Sequence, residues 1–252
     1  MTRTARRLFA LGLVSAAAAL SAPAGAWSWN SERVNGNGDI ATEARGTGAF
    51  DSVSMAGGFH VVIRQGAGHK VELKADRNLL PYIETQVVEG ARGRTLQIGT
   101  KKGFNINASS TPSFVIEMPA LRAVAVAGSG SFKVEAMKTG EVDASIAGSG
   151  DIRFSGLDVE RLGMKVSGSG DIVAAGRAGT ASVSIAGSGD VKAAELAAEE
   201  VKVSIAGSGD AQVQATRRLN VSIAGSGDVK YVGAPEISSS VAGSGKVRQL
   251  KP

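Results

Sequence analysis

In Val183-Ser184-Ile185-Ala186-Gly187-Ser188-Gly189-Asp190-Val191, aliphatic residues and glycines hold one parity, and Ser, Ala, Ser and Asp hold the other. The same alternation runs through Val203, Ile205, Gly207 and Gly209, then through Val221, Ile223, Gly225, Gly227 and Val229. Successive strand side chains point to opposite faces, so the pattern predicts strands with an aliphatic inner face and a small, polar outer one. Gly-Ser-Gly begins at Gly128, Gly148, Gly168, Gly187, Gly207, Gly225 and Gly243, in steps of 20, 20, 19, 20, 18 and 18 residues. A nearly fixed period that tolerates single deletions is the mark of stacked repeats. Coils this short have no room for a crossover helix, so each strand is expected to pair in parallel with its counterpart in the next coil.

The expected fold is therefore all-β: a single-stranded parallel β-helix, or β-solenoid. It is taken as right-handed, although the period does not itself dictate the hand. An α-solenoid is the competing architecture, and two glycines per repeat at strand parity oppose it. Five glycine pairs are assigned to structural turns at the corners: Gly148 with Gly150, Gly168 with Gly170, Gly187 with Gly189, Gly207 with Gly209, and Gly225 with Gly227. There a missing Cβ lets the backbone bend and approach the next coil. Variable segments such as Leu196-Ala197-Ala198-Glu199-Glu200 fall between corners, where solenoids accept insertions.

The remaining chain divides by pattern. Residues 1–26 read as an export signal: Arg3, Arg6 and Arg7, an apolar run Leu8–Leu20, and Ala24-Gly25-Ala26 as the cleavage site. Arg6-Arg7-Leu8-Phe9 also resembles a twin-arginine signal, beside the ordinary secretory reading. Residues 27–47 are polar and Gly-rich, and are expected to form a flexible leader, with Trp27 and Trp29 able to dock on the body. Residues 48–252 are assigned to the β-helix, with 48–121 as an irregular N-terminal cap and 122–252 as the repeats. Within the cap, Val53-Ser54-Met55-Ala56-Gly57-Gly58 reads as a diverged repeat, and Asn78–Val88 as a helical turn or loop.

Composition narrows the function. The chain is 43% hydrophobic but only 4% aromatic, so its core is expected to be built of small aliphatics. It holds 28 basic and 23 acidic residues, and three of the basic ones lie in the signal, so the mature chain is close to neutral. Nucleic-acid binding thereby loses its electrostatic support. With no cysteine, an exported protein has no disulfides and no lipidated cysteine at the signal junction. No segment after the signal is apolar for long enough to span a bilayer as a helix.

Asp151, Asp171, Asp190, Asp210 and Asp228 follow successive corners, and stacking should align them in a column with a spacing of about 4.8 Å. Such a column either caps its turns by accepting backbone N–H groups or attracts a cation. Calcium β-rolls gather several oxygens on each ion, whereas each coil here offers one carboxylate. The outward Ser184-Ala186-Ser188 columns form a flat strip that suits a regular partner surface, or simply solvent. His60 and His69, with no third ligand near, make a weak metal pair, so no metal and no cofactor are expected. The repeated serine is a structural motif, not a singular nucleophile, and no phosphate loop occurs. The enzymatic alternative is a polysaccharide lyase or hydrolase of the parallel β-helix type, using Asp, Arg and Lys on one face.

Phe50-Asp51-Ser52-Val53, then Gly58-Phe59-His60-Val61-Val62-Ile63-Arg64-Gln65-Gly66, Asn78-Leu79-Leu80 and the recurring Ala-Gly-Ser-Gly-Asp carry a resemblance. Over about residues 48–245 the chain resembles the auto-transporter adhesin, head GIN domain family. The resemblance implies a parallel β-helix exported to the envelope and a role in adhesion, with no established catalytic residues to transfer. An auto-transporter also needs a membrane barrel of alternating strands. Here the repeats run up to Lys251-Pro252, so the periplasm is expected beside an outer-surface address. The expected function is a non-enzymatic binding scaffold for an unidentified surface, glycan or protein ligand, with self-association a further option. A calcium-stabilised roll is the third reading.

Overall fold

The computed structural model describes residues 31–250 except 91–92. The export signal assigned to residues 1–26, together with Trp27 and Trp29, lies outside the described residues. The repeats form long strands, Met137–Gly148, Asp151–Gly168, Asp171–Gly187, Val191–Gly207 and Ala211–Gly225, each parallel to the next. Together they make a β-solenoid of about 6 turns.

Register follows the sequence period. Ile146, Val166, Ile185, Ile205 and Ile223 stack as one buried column, and Gly148, Gly168, Gly187, Gly207 and Gly225 stack at the corners. Where step lengths differ, a bulge absorbs the difference. The ladder slips between Phe154 and Leu157, between Val173 and Ala175, and across Ala193–Ala197 beside the variable Leu196–Glu200 segment.

The two glycines of each pair divide the expected roles of bend and close approach. The first has positive φ, +133° at Gly187 and +136° at Gly207, a conformation that side chains resist. The second of each pair, Gly150, Gly170, Gly189, Gly209 and Gly227, is buried and has no positive φ. It is required by close approach alone, since its missing Cβ would point into the stack. A Cβ on Gly150 would run into the Gly130 carbonyl oxygen and the Val126 side chain, and one on Gly189 into the Gly170 carbonyl oxygen and the Val166 side chain. Corners therefore stack backbone on backbone, sealed by bonds such as Ser188 N–H to the Gly168 carbonyl, at 2.9 Å.

The opening section continues the stack. Ser52–Ala56 pairs in parallel with Ala123–Gly128, and His60–Gln65 pairs with Ser131–Val134. Gly57 has the corner conformation, with φ +123°, so the diverged repeat is a real one. One layer further, Gly93–Thr100 lies on Ser52–Ala56, and Ser113–Met118 lies on His60–Gln65. There the direction reverses: Ile83–Gly90 and Lys70–Asp76 cover those strands antiparallel, and Ile40–Ala44 covers Lys70–Asp76. Reversal ends the parallel stacking. The Asn78–Val88 stretch holds one 3₁₀ turn, Leu80–Tyr82, and then enters Ile83–Gly90.

The expectation of a flexible leader over 27–47 is corrected for the described part. Glu32–Asn35 pairs in parallel with Phe104–Asn107, and Ile40–Ala44 is the outermost strand of the cap. The physical reason is a polar clasp, not aliphatic burial. Asp76, 0% exposed, accepts the Gly38 N–H at 2.7 Å and the Ser109 N–H at 3.0 Å, and the Ser109 hydroxyl also donates to it. Asn78 donates to the Asn35 carbonyl at 2.8 Å and accepts the Asn37 N–H at 3.0 Å. Arg45 reaches the Leu80 carbonyl at 2.8 Å.

The far end is open. Ile237 and Val241 stack on Leu219 and Ile223 at inward positions, yet are 40% and 42% exposed because nothing among the described residues covers them.

Candidate functional site

The five predicted aspartates do form one column. Parallel pairing places Ser131, Asp151 and Asp171 in register, and a backbone bond joins each carboxylate to the next coil. Oδ1 of Asp151, Asp171, Asp190 and Asp210 accepts the N–H of Asp171, Asp190, Asp210 and Asp228, at 3.4, 3.1, 3.0 and 2.8 Å. Asp228 accepts the Lys246 N–H at 2.8 Å in the same way. Each carboxylate thus caps the following coil, not its own turn. Gly150, Gly170, Gly189, Gly209 and Gly227 stand directly before the five aspartates, and their backbone stacking sets the spacing of the column.

Two residues along each strand, on the same outer face, runs a second column that the sequence reading did not single out. Lys133, Arg153, Val173, Lys192, Gln212, Lys230 and Arg248 are in register. The Lys192 ammonium reaches back one coil to Asp171 Oδ2 at 3.0 Å, and Arg248 reaches Asp228 Oδ2 at 3.9 Å. The bond to Asp171 holds the Lys192 pKa above the usual lysine value, and the Asp190 and Asp151 charges add to it. Recurrence of Lys or Arg two places after Asp, at Arg153, Lys192 and Lys230, was the available signal. Val173 and Gln212 interrupt it.

At the N-terminal end of the aspartate column the acids stop. Ser131 and His60 take their place, with His60 Nδ1 and Ser131 Oγ 2.7 Å apart. Here a shallow groove of about 420 Å³ is lined by Ser131, Lys133, Asp151, Arg153 and Lys192. The two histidines, weighed as a metal pair, part company: His69 bonds the Phe50 carbonyl at 2.8 Å and packs its ring edge-on to Phe50. Elsewhere the outer columns pair charges across coils, as in Arg161–Glu141 at 2.8 Å and Arg218–Glu200 at 3.0 Å. Such exposed pairs contribute about 0–1 kcal/mol each.

A family profile described as "Putative auto-transporter adhesin, head GIN domain" matches residues 49–235. The chain belongs to that family. Among solved structures, a putative lipid binding protein from Parabacteroides distasonis ATCC 8503 is 29% identical with TM-score 0.73, covering 87% of this chain and 100% of that one. A putative adhesin from Parabacteroides merdae ATCC 43184 is 25% identical with TM-score 0.69, over 87% of this chain and 100% of that one. A putative adhesin from Bacteroides fragilis NCTC 9343 shares the fold, with TM-score 0.75 and 22% identity over 86% of this chain and 100% of that one. Comparison with curated proteins found no match. The head GIN domain family and its structural neighbours thus point to an adhesin-like binding role. No helix among the described residues is long and apolar enough to cross a membrane.

Proposed function

We propose that this chain is a non-enzymatic, exported cell-envelope protein that binds a glycan or protein surface through its charged lateral face. The supporting observation is the two-column face itself. Five carboxylates and the cations Lys133, Arg153, Lys192, Lys230 and Arg248 recur at the stacking interval on one side of the solenoid. A regular array of exposed charges on a rigid scaffold complements an extended partner with its own repeat, and costs no reorganisation on binding. Periplasm and outer surface both suit this role.

The test is to screen the mature protein against glycans and matrix proteins, then repeat the leading hit with Asp171, Asp190, Asp210 and Asp228 changed to Asn. Asn keeps an oxygen that accepts the next coil's N–H while removing the charge. Loss of binding with unchanged circular dichroism supports the reading. Equal binding by the variant refutes it.

The groove gathers Asp151, Asp171, Arg153, Lys133 and Lys192, which is the arrangement the lyase or hydrolase alternative requires. Against it, a lysine base works best with a pKa lowered toward neutrality, and Asp171 pushes Lys192 the other way. Incubation with acidic polysaccharides decides the matter: new reducing ends that accumulate with time would establish catalysis.

A further inference from the structure

The ion-pairing rule of the charged face is that a cation pairs with the aspartate one coil earlier, as Lys192 does with Asp171 and Arg248 with Asp228. The rule does not hold along the whole face, since Gln212 follows Asp190 and Lys230 makes no ion pair with Asp210 among the described residues. Asp151 and Arg153 share the strand on which acid and cation are both left over. Arg153 has Ser131 one coil before it, a neutral residue. Asp151 has Val173 one coil after it in the cation column, an apolar residue. Neither Arg153 nor Asp151 makes an ion pair among the described residues. The two are a residue apart on one strand and face the same side, so their Cα atoms lie about 6.8 Å from each other. Asp151 is also the least committed rung of the ladder, its backbone bond being 3.4 Å against 2.8–3.1 Å for the others.

Around this pair the groove is chemically asymmetric. Lys133, whose ammonium is 3.8 Å from Glu135, stacks on Arg153, and the Ser131 hydroxyl, bonded to His60, stacks on Asp151. These are donors suited to an oxyanion with several oxygens. Asp151 makes no ion pair of its own among the described residues, although its charge acts on the Lys192 ammonium held by Asp171. Val173, stacked on Arg153, gives the groove an apolar patch.

We propose that this groove binds a zwitterionic group in which a phosphate and a primary ammonium are joined through about two carbons, the phosphoethanolamine type. Arg153, Lys133 and Ser131 hold the phosphate, and Asp151 holds the ammonium. A purely anionic ligand would leave the Asp151 charge opposed, and a purely cationic one would leave Arg153 unpaired, so both halves are needed. The proposal rests on the charged face being a binding face and assigns a ligand class to one end of it.

The experiment is calorimetric or NMR titration of the mature protein with O-phosphoethanolamine, inorganic phosphate and ethanolamine. The expected result is binding of O-phosphoethanolamine about tenfold or more tighter than of either half. Arg153→Gln should abolish it. Asp151→Asn should bring it down to the level of phosphate while leaving phosphate binding intact. Both side chains lie at the surface, and circular dichroism of each variant verifies the fold. A second arm uses vesicles: retention on phosphatidylethanolamine but not phosphatidylglycerol vesicles assigns a lipid source. Binding of the free compound alone assigns a headgroup carried on something other than a bilayer. No preference for O-phosphoethanolamine over phosphate, or no effect of either substitution, overturns the proposal. If that happens while the screen still yields a ladder-dependent ligand, the binding face survives and only this assignment falls.

Discussion

Asp190 Oδ1 accepts the main-chain N–H of Asp210 at 3.0 Å, one full coil further along the chain. The contact turns a surface carboxylate into a connector between layers. It also lowers the cost of stacking like charges about 4.8 Å apart, because one oxygen of each carboxylate is satisfied by a backbone dipole. Asp190→Ala removes the acceptor and leaves a half-buried N–H without its partner. The expected loss is about 1–3 kcal/mol, and Asp190→Asn should lose less than half of that. Urea melts of the three proteins check the order.

Calcium β-rolls bring several protein oxygens to each ion. Here one oxygen of each ladder aspartate is already bonded to the chain. A chelator such as EDTA should therefore leave the thermal midpoint of the mature protein unchanged. A drop of several degrees, restored by calcium, would revive the roll reading.

Corner positions and parallel register were readable from Gly-Ser-Gly and its alternating neighbours, because a buried column must repeat the same inward residues coil after coil. The division of labour within each glycine pair was not, since Gly148 and Gly150 look alike in sequence and differ only in backbone conformation. The leader was unreadable for a different reason. Glu32–Asn35 and Ile40–Ala44 bury little: their positions are set by backbone pairing and by Asp76 and Asn78, which lie about forty residues away in sequence. Periodicity detects burial, and these strands have almost none. The cation column was hidden in a third way. Its signal sits two residues after each aspartate, but Val173 and Gln212 break the repetition that made the aspartates visible.

The first corner glycine combines two constraints that alanine violates. At Gly207, φ is +136° and a Cβ would strike the Gly187 carbonyl oxygen, a backbone atom that cannot swing aside. Gly207→Ala should cost about 3 kcal/mol or more, from the strained dihedral and from overpacking together. Gly140→Ala is the control, since its Cβ meets nothing within 4 Å. Its midpoint in a denaturant melt should stay near that of the parent. Equal effects at the two sites would mean that the corners are looser than their stacked carbonyls imply.

Acid stability isolates the clasp at Asp76. Its pKa lies below the usual aspartate value, chiefly because the Ser109 hydroxyl donates to it, with the Ser109 and Gly38 N–H groups helping and desolvation opposing. A carboxylate whose folded pKa is depressed stabilises fully above its unfolded value of about 3.9, and that contribution is lost as pH falls through the folded pKa. The native chain should therefore lose stability on descending from about pH 4, whereas Asp76→Asn should start lower at neutral pH and show a flatter dependence over the same interval. Because Asp76 tethers Gly38 and Ser109, the lost protection should also be local. Hydrogen exchange should rise first in residues 32–44 of the variant while the stack over residues 137–225 stays protected. Parallel acid profiles for the two proteins, or uniform exchange throughout, would show that the N-terminal strands are held by something other than this carboxylate.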